Sequence, residues 1–304
     1  MNRKSFLQKS LTASALLGAG GFPFAAFAAE EFTKLTILHT NDQHSRIEPF
    51  PMDGSKYQGC GGFAKRAAVI DAVRVKEKNV LLLDSGDIFQ GTPYFNKFHG
   101  EVEIKLMNEM RYDAATIGNH DFDGGMENLV QRIEQAQFPF LISNYNFDHT
   151  VCSQKTLPYK IFSFQNLRVG VFGIGIEMDG LVPKELFLET QYQQPIQRAN
   201  ETAAQLKHEA KCDFVICLSH LGYKYEEKKV SDVVLARETK NIDLILGGHT
   251  HTFFEEPKWY ANAQNALVMV NQVGWAGIYL GQLEFYFDKK KKGAMGNSKP
   301  LQLR

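Results

Sequence analysis

Residues of the kinds that bind divalent metal ions follow directly after five apolar segments of the sequence. They occur in His39-Thr40-Asn41-Asp42-Gln43-His44, Asp84-Ser85-Gly86-Asp87, Gly118-Asn119-His120-Asp121-Phe122-Asp123, Ser219-His220 and Gly247-Gly248-His249-Thr250-His251. Oxygen and nitrogen donors without cysteine suit Mn²⁺, Zn²⁺ or Fe²⁺. Two such ions, roughly 3.5–4 Å apart, can activate water and bind the oxygens of a phosphoryl group. The residue types therefore predict a site for divalent metal ions that could activate water.

The elements that must position these residues are strands that end at a common edge. The five apolar segments predict strands at residues 35–38, 80–83, 114–117, 214–218 and 242–246, and helical patterns cover 63–76, 102–110, 125–135, 195–211 and 231–239. A hairpin is predicted at 159–164 and 168–174, with further strands at 140–143, 267–271 and 277–287. Open α/β folds build their sites at the carboxyl ends of such strands. We therefore expect an α/β fold of two packed sheets with helices outside.

The ordered set of motifs resembles a known enzyme family. D-x-H, G-D, G-N-H-D, an isolated His and G-H-x-H, from Asp42 to His251, resemble the calcineurin-like metallophosphoesterases. More narrowly, L-H-T-N-D-Q-H and G-N-H-D-F-D are similar to the amino-terminal catalytic domain of the 5′-nucleotidase family. The resemblance implies a four-layer α/β/β/α sandwich.

The resemblance also implies a role for each donor. It places Asp42, His44 and His251 on one metal ion and Asn119, His220 and His249 on the other, with Asp87 bridging the two. His120, held by Asp123, would contact the phosphoryl oxygen or protonate the leaving group. An imidazole beside a carboxylate favours its charged form, which suits either role.

Several neighbouring residues are expected to be structural. Asp84 would support its loop, and Asp121 would act behind the ligands. Asn41 has two open interpretations, a phosphate contact or a turn-forming residue. The histidines that fit no motif, and Cys60 near the first motif, are not expected to be ligands; those histidines are His39, His99, His149 and His208.

The two ends of the 304-residue chain differ from its middle. Arg3, Lys4 and Lys9 precede an apolar stretch that ends in Ala26-Phe27-Ala28, which predicts a cleaved export signal over residues 1–28. The alternative is an amino-terminal membrane anchor, and the segment 2–9 resembles a twin-arginine signal with Lys4 in place of the second Arg, so the export route stays open. The remaining boundaries are a metallophosphoesterase domain at 29–288 and a basic, flexible tail at 289–304. A periplasmic or secreted protein without membrane insertion is expected.

The predicted function is an exported phosphohydrolase with two divalent ions, acting on phosphate esters and above all on 5′-nucleotides. Close alternatives are a 2′,3′-cyclic nucleotide phosphodiesterase, a nucleotide-sugar diphosphatase and a thiosulfohydrolase-like enzyme. A non-catalytic binding subunit is the alternative from another class. The balance of 34 basic and 34 acidic residues gives no indication of a nucleic acid partner.

The expected partner is a small phosphate ester, with a possible separate chain for nucleoside recognition. In many members of the resembled family, a second domain holds the nucleoside, and the sequence after Phe287 is not expected to supply one. The chain is therefore expected to be either the catalytic half of a split enzyme or an enzyme that acts alone and is poorly selective among bases. Loop aromatics would then make only a shallow rim; the candidates are Phe89, Tyr94, Phe122, Tyr223 and Phe253.

Overall fold

The computed structural model describes residues 32–288, 290 and 293–304, so the predicted export signal lies outside the described residues. In this part of the chain, the strands are β1 (Thr33–Thr40), β2 (Val80–Asp84), β3 (Ala114–Ala115), β4 (Tyr145–Asn146), β5 (Tyr159–Phe164), β6 (Leu167–Ile174), β7 (Gln191–Tyr192), β8 (Phe214–Ser219), β9 (Leu244–Gly247), β10 (Lys258–Ala261), β11 (Leu267–Asn271), β12 (Tyr279–Phe287) and β13 (Gly293–Gln302). The α-helices are α1 (Phe63–Lys76), α2 (Pro93–Phe98), α3 (Glu101–Glu109), α4 (Met126–Gln135), α5 (Lys184–Phe187), α6 (Pro195–Ala204) and α7 (Asp232–Glu238).

Two sheets carry the strands that lead into the candidate site. The first has the order β13-β12-β1-β2-β3, and the second has the order β10-β11-β9-β8-β6-β5. β1, β2 and β3 are parallel to one another, as are β6, β8, β9 and β11. In each sheet, the carboxyl ends of these strands therefore lie at one edge.

The strands alternate their side chains between two cores, as period-two geometry requires. Leu35 and Ile37 of β1 pack in a buried cluster with Val169, Ile216 and Leu244 of the second sheet. This cluster is the layer between the sheets.

Two further cores lie on the outer faces of the sheets. Leu38 and Leu82 pack with Ile70 of α1 and Leu129 of α4 on one side. Val215 and Cys217 of β8 pack with residues of α6 and α7 on the other side. The order of layers is α/β/β/α, which confirms the predicted fold class.

Some predicted elements differ in their bounds. The helix expected over 195–211 is α6 followed by a π-helical turn at Gln205–Glu209. Residues 140–143 make only isolated bridges, in which Phe140 pairs with Ala115 and Leu141 with Leu157. The short elements α2 and β10 were not predicted, because neither has enough residues to show a periodic pattern.

The carboxyl-terminal segment also differs from its prediction. Residues 289–304 were expected to form a flexible tail, but Gly293–Gln302 forms β13, antiparallel to β12. An edge strand pairs through its backbone, so it needs no apolar side chains to join a long neighbour.

Along the described residues, no helix combines the length and the apolar character needed to cross a membrane.

Candidate metal centre

Two loops of the first sheet are locked together by their backbones. The loop after β1 contains Asp42 and His44, and the loop after β2 contains Asp87. The amide of Asp42 donates to the carbonyl of Gly86 at 2.9 Å, and that of His44 donates to the carbonyl of Asp87 at 3.0 Å. Because β1 and β2 are parallel neighbours, these bonds extend their pairing beyond the strand ends. The acidic side chains are thereby fixed side by side.

The first cluster of donors joins Asp42 and His44 to His251, which follows β9 of the other sheet. Nε2 of His251 lies 2.9 Å from Nε2 of His44 and 3.4 Å from Oδ1 of Asp42. Nε2 of His44 lies 4.0 Å from the same carboxylate oxygen. Ligand atoms about 2.1 Å from a common cation lie roughly 3–4 Å apart, so this spacing fits one ion.

The second cluster consists of Asp87, His220 and His249. Oδ2 of Asp87 lies 3.1 Å from Nε2 of His220. Nδ1 of His249 lies 2.8 Å from Oδ1 of Asn119, which brings the predicted fourth donor to this group. These distances again fit donors that converge on one cation.

The Asp87 carboxylate lies between the two clusters. Its Oδ2 atom is 3.1 Å from His220 of the second cluster and 3.8 Å from His44 of the first. Its Oδ1 atom accepts the backbone N–H of His120 at 2.8 Å, which fixes the orientation of the carboxylate. One oxygen of Asp87 is therefore available to both clusters.

His220 shows that the donor set fits a divalent ion. Its Nδ1–H donates to the carbonyl of Ser85 at 2.7 Å, which leaves Nε2 as the atom that faces Asp87. That Nε2 atom is buried, and it lies 3.1 Å from Oδ2 of Asp87. A second ring nitrogen tied to a carbonyl is the usual arrangement of a metal-binding histidine.

The protonation of two of the imidazoles agrees with this fit. Burial lowers the pKa of His44, and it lowers that of His249 to about 4, so both rings keep a lone pair at neutral pH. Burial opposes a charge on His220, but the neighbouring Asp87 carboxylate raises its pKa to about 10. A cation bound there would take the place of this proton.

Five of the seven candidate ligands have a left-handed backbone. The φ angles are positive for Asp42 (49°), His44 (48°), Asp87 (55°), His249 (70°) and His251 (52°). This conformation costs an L-residue about 1–2 kcal/mol. Strain of this kind persists where the surrounding structure determines it, and it gathers at functional sites.

Asp121 braces the loop that carries Asp87. Its carboxylate accepts the backbone N–H groups of Gly118 at 2.8 Å, Asp87 at 3.0 Å, Ile88 at 2.8 Å and Phe89 at 3.1 Å. Four donors on one buried side chain hold the turn rigidly. Asp121 therefore orients Asp87 without facing either cluster.

Asp84 braces the adjoining loop in the same way. It accepts from Thr40 Oγ1 at 2.6 Å, Gln43 Nε2 at 2.7 Å and the Gly86 amide at 2.9 Å.

Two glycines are required by the close approach of the loops. A Cβ on Gly118 would lie 2.2 Å from Oδ1 of Asp87, and one on Gly248 would lie 2.8 Å from Nδ1 of His220.

His120 lies beside the clusters without belonging to either. Its Nδ1 atom is 2.8 Å from Oδ2 of Asp123, and this hydrogen bond raises the pKa of the imidazole. Its ring is 5.4 Å from that of His44, and 40% of its side chain is exposed. The ring can therefore meet a ligand that enters the site from solvent.

The family model for calcineurin-like phosphoesterases matches residues 35–253, which include every candidate ligand. The chain belongs to this family. Members are metal-dependent phosphoester hydrolases by class, and the two donor clusters agree with divalent metal ions as cofactors.

Within this family, the chain is similar to proteins that are named 5′-nucleotidases. The chain is 34% identical to a snake venom 5′-nucleotidase of Crotalus adamanteus over 95% of its own length and 51% of the relative. It is 31% identical to a 5′-nucleotidase of Vibrio cholerae, over 93% of the chain and 54% of the relative. A crystal structure of a 5′-nucleotidase precursor from Thermus thermophilus superposes with a TM-score of 0.79 at 29% identity, covering 89% of this chain and 55% of that one. The chain thus spans about half the length of these phosphoesterases.

The side chain of Asn41 forms hydrogen bonds within the protein. This buried side chain donates to the Asp42 carboxylate at 2.5 Å and to the carbonyl of Gly274 at 2.6 Å, and it accepts from Val273 N at 3.0 Å. Its amide is thus used within the protein, and it ties the first loop to the loop after β11.

The remaining histidines and the cysteines lie outside the two clusters. His39 is buried and accepts from Asn271 at 2.8 Å, while the other three unassigned histidines are exposed. All four cysteines are buried free thiols, and Cys60 packs against Ala276 and Ile278.

Gln272 is a positioning residue that the sequence analysis missed. Its Nε2 atom donates to the carbonyl of Gly248 at 2.7 Å, and its Oε1 atom accepts from Thr252 N and from Thr250 Oγ1. The fully buried amide therefore holds both ends of the loop that carries His249 and His251. Gln272 is a polar residue directly after a strand, β11, and this is the pattern by which the candidate ligands were predicted.

The predicted aromatic rim is only partly correct. Phe89 and Phe122 are fully buried in the core beneath the site, so neither can touch a ligand. Tyr223 packs edge-on against Phe254, and the hydroxyl of Tyr94 donates to Glu48. Phe253 is exposed, with 37% of its surface accessible.

Proposed function

We propose that this chain is an exported phosphohydrolase that holds two divalent ions and cleaves 5′-nucleotides by attack of water on the phosphoryl group. The observation that carries the proposal is the position of Asp87 Oδ2, 3.1 Å from His220 and 3.8 Å from His44. A single carboxylate oxygen shared by two clusters is the arrangement that bridges two cations.

The proposed ligands divide between the clusters. Asp42, His44 and His251 hold one ion, and Asn119, His220 and His249 hold the other, with Asp87 shared. When bound, such ions supply a nucleophile at neutral pH and offset the charge of the phosphoryl oxygens. Manganese, zinc and iron are the candidates that this donor set favours.

His120 would donate a proton to the leaving group. The Nδ1–H···Asp123 bond fixes the ring, so Nε2 is the atom that faces a ligand. As an imidazolium, it can donate from Nε2 to the oxygen that leaves the phosphorus. Asp123 stabilises the positive charge of the ring.

The substrate class rests on the relatives. Both relatives are named 5′-nucleotidases, which favours nucleotides over other esters. The chain spans about half of each relative, which is compatible with a separate chain that recognises the nucleoside, and such a partner is part of the proposal.

The first experiment is a metal-reconstitution assay. Chelated protein should release no phosphate from AMP, and Mn²⁺ or Zn²⁺ should restore release, with Asp87→Asn as the inactive control. Cyclic nucleotides and a nucleotide sugar complete the panel. Protein that is equally active after chelation would contradict the proposal.

Export is proposed from the predicted signal and is supported by the venom relative. We expect a mature amino terminus near Ala29 or Glu30. Mass spectrometry of protein recovered outside the cytoplasm would detect it. Peptides from residues 1–20 in that protein would contradict a cleaved signal.

A further inference from the structure

A set of aromatic rings continues outward from the candidate metal centre. We call it the aromatic shelf, and its members are Phe50, Tyr57, Phe253, Trp275 and Tyr279. Trp275 stacks on the ring of His251, with centroids 5.6 Å apart and an interplanar angle of 9°. Phe50 meets Trp275 edge-on at 5.8 Å. The shelf is therefore in direct contact with a candidate metal ligand.

The outer part of the shelf is built around Phe253. Its ring lies 6.0 Å from that of Tyr57 at an interplanar angle of 20°, and 5.6 Å from that of Tyr279 at 72°. Its other neighbour is the backbone of Gly274, where a Cβ would come within 2.1 Å of the ring. Phe253 is thus held on several sides, yet 37% of it is exposed.

The candidate metal centre opens to solvent on the side that adjoins the shelf. The side chains of His251 and His120 are 39% and 40% exposed, whereas those of Asp42, Asp87 and His220 are nearly or fully buried. The part of an ester that is not phosphate must leave past one of these two imidazoles. On the His251 side, it meets the shelf.

The series of rings indicates how far a ligand must reach. His120 contacts His44 at 5.4 Å, His44 contacts His251 at 4.9 Å, and Trp275 comes next. A ring bonded directly to an ester oxygen near His120 would stop short of the shelf. A ring carried on a spacer, such as a pentose, extends farther toward the shelf.

We propose that the aromatic shelf binds a planar ring of the substrate by stacking, when a sugar-sized spacer separates that ring from the phosphate. This inference rests on the proposed function and adds a ring-binding site made by this chain alone. An exposed aromatic ring tolerates any base, because every base offers a π-face. The shelf therefore gives affinity for a base without selecting among bases.

The kinetic test compares two esters that differ only in the ring. AMP and ribose 5-phosphate share the spacer and the phosphate, and only AMP carries a base. In Phe253→Ala protein, the ratio of kcat/KM for AMP to that for ribose 5-phosphate should fall about 10-fold, the size of one base–aromatic contact. Phe253→Leu should give a smaller fall, since it keeps apolar area without the ring.

The matched control is Trp259→Ala. Trp259 lies on edge strand β10 and is 46% exposed, so its removal deletes a comparable ring away from the shelf. The ratio should keep its wild-type value in this variant. A wild-type ratio in Phe253→Ala would overturn the shelf as a ring site. If wild-type protein hydrolysed neither ester, the proposed function would fail instead.

A binding test does not depend on turnover. The sequence has two tryptophans, so Trp259→Phe leaves Trp275 as the sole tryptophan, whose fluorescence can be excited selectively. Adenosine, which has no phosphate, should quench Trp275 in chelated and in metal-loaded protein, and Phe253→Ala should weaken that quenching. Fluorescence unchanged by adenosine would overturn the ring site and leave the shelf as a surface for protein contact.

Discussion

The two donor clusters have the same residue types but different depths. His220 of the second cluster is completely buried, whereas the side chain of His251 in the first is 39% exposed. The second cluster also has Asn119 beside His249, at 2.8 Å. In the proposed dinuclear centre, the second cluster would be the inner site and hold its ion more firmly, and the first would be the outer site that exchanges its ion and meets the substrate.

Each cluster draws its donors from both sheets. Asp42 and Asp87 follow strands of the first sheet, whereas His220, His249 and His251 follow strands of the second. Metal ions would therefore join the two halves of the sandwich at the edge where their strands end. The strained φ angles of the loops fit this view, because ligand contacts offset their cost.

The largest effect is expected from Asp87→Asn, since this side chain is the one that both clusters share. The amide removes the charge between two cations, so metal content and turnover should fall together. The loss of turnover should exceed the roughly 10²–10⁴-fold that removal of a general acid gives. Elemental analysis and phosphate release measure both. Two ions per chain with normal turnover would rule out the shared role.

His120→Asn should lower turnover without lowering metal content, because His120 belongs to neither cluster. We expect a loss of roughly 10²–10⁴-fold for AMP. The loss should be smaller for an aryl phosphate, whose leaving group needs less protonation. Equal losses for the two substrates would assign His120 to phosphate binding.

Asp121→Asn tests the support beneath the shared carboxylate. The Asp121 carboxylate now accepts hydrogen bonds from backbone N–H groups of the Asp87 loop. The side-chain NH₂ group of Asn would face these N–H groups without accepting from them, so the loop should become less rigid. Mutation of a residue that supports a metal ligand typically lowers metal affinity or activity about 10–100-fold. The exposed Asp71→Asn is the control. An Asp121→Asn variant with wild-type metal affinity would limit Asp121 to folding.

The smallest effect concerns the order in which ions leave. A limiting chelator should remove the outer ion first, and the loss should be faster in His251→Ala than in wild-type protein. Full metal loading should also raise Tm, because a ligand at 100 times its Kd adds about 2.7 kcal/mol to the free energy of unfolding. Simultaneous loss of both ions would contradict the difference in depth.

The sequence predicted the members of the two donor clusters better than their surroundings. A polar residue directly after an apolar strand is a local pattern, and it located donors such as Asp42 and His220. Burial of Phe89 depends on its packing against Phe95 and Gly100, which no local pattern records, so its place in the rim was predicted wrongly. β13 was missed for the same reason, because its partner β12 supplies the pairing.

The most direct test of the account is anomalous diffraction from crystals of the mature protein loaded with Mn²⁺. We predict two anomalous peaks, roughly 3.5–4 Å apart, on either side of Asp87 Oδ2. The inner peak should lie beside His220 and His249, and the outer one beside His44 and His251. A single peak, or two peaks that do not share Asp87, would contradict the proposed dinuclear centre.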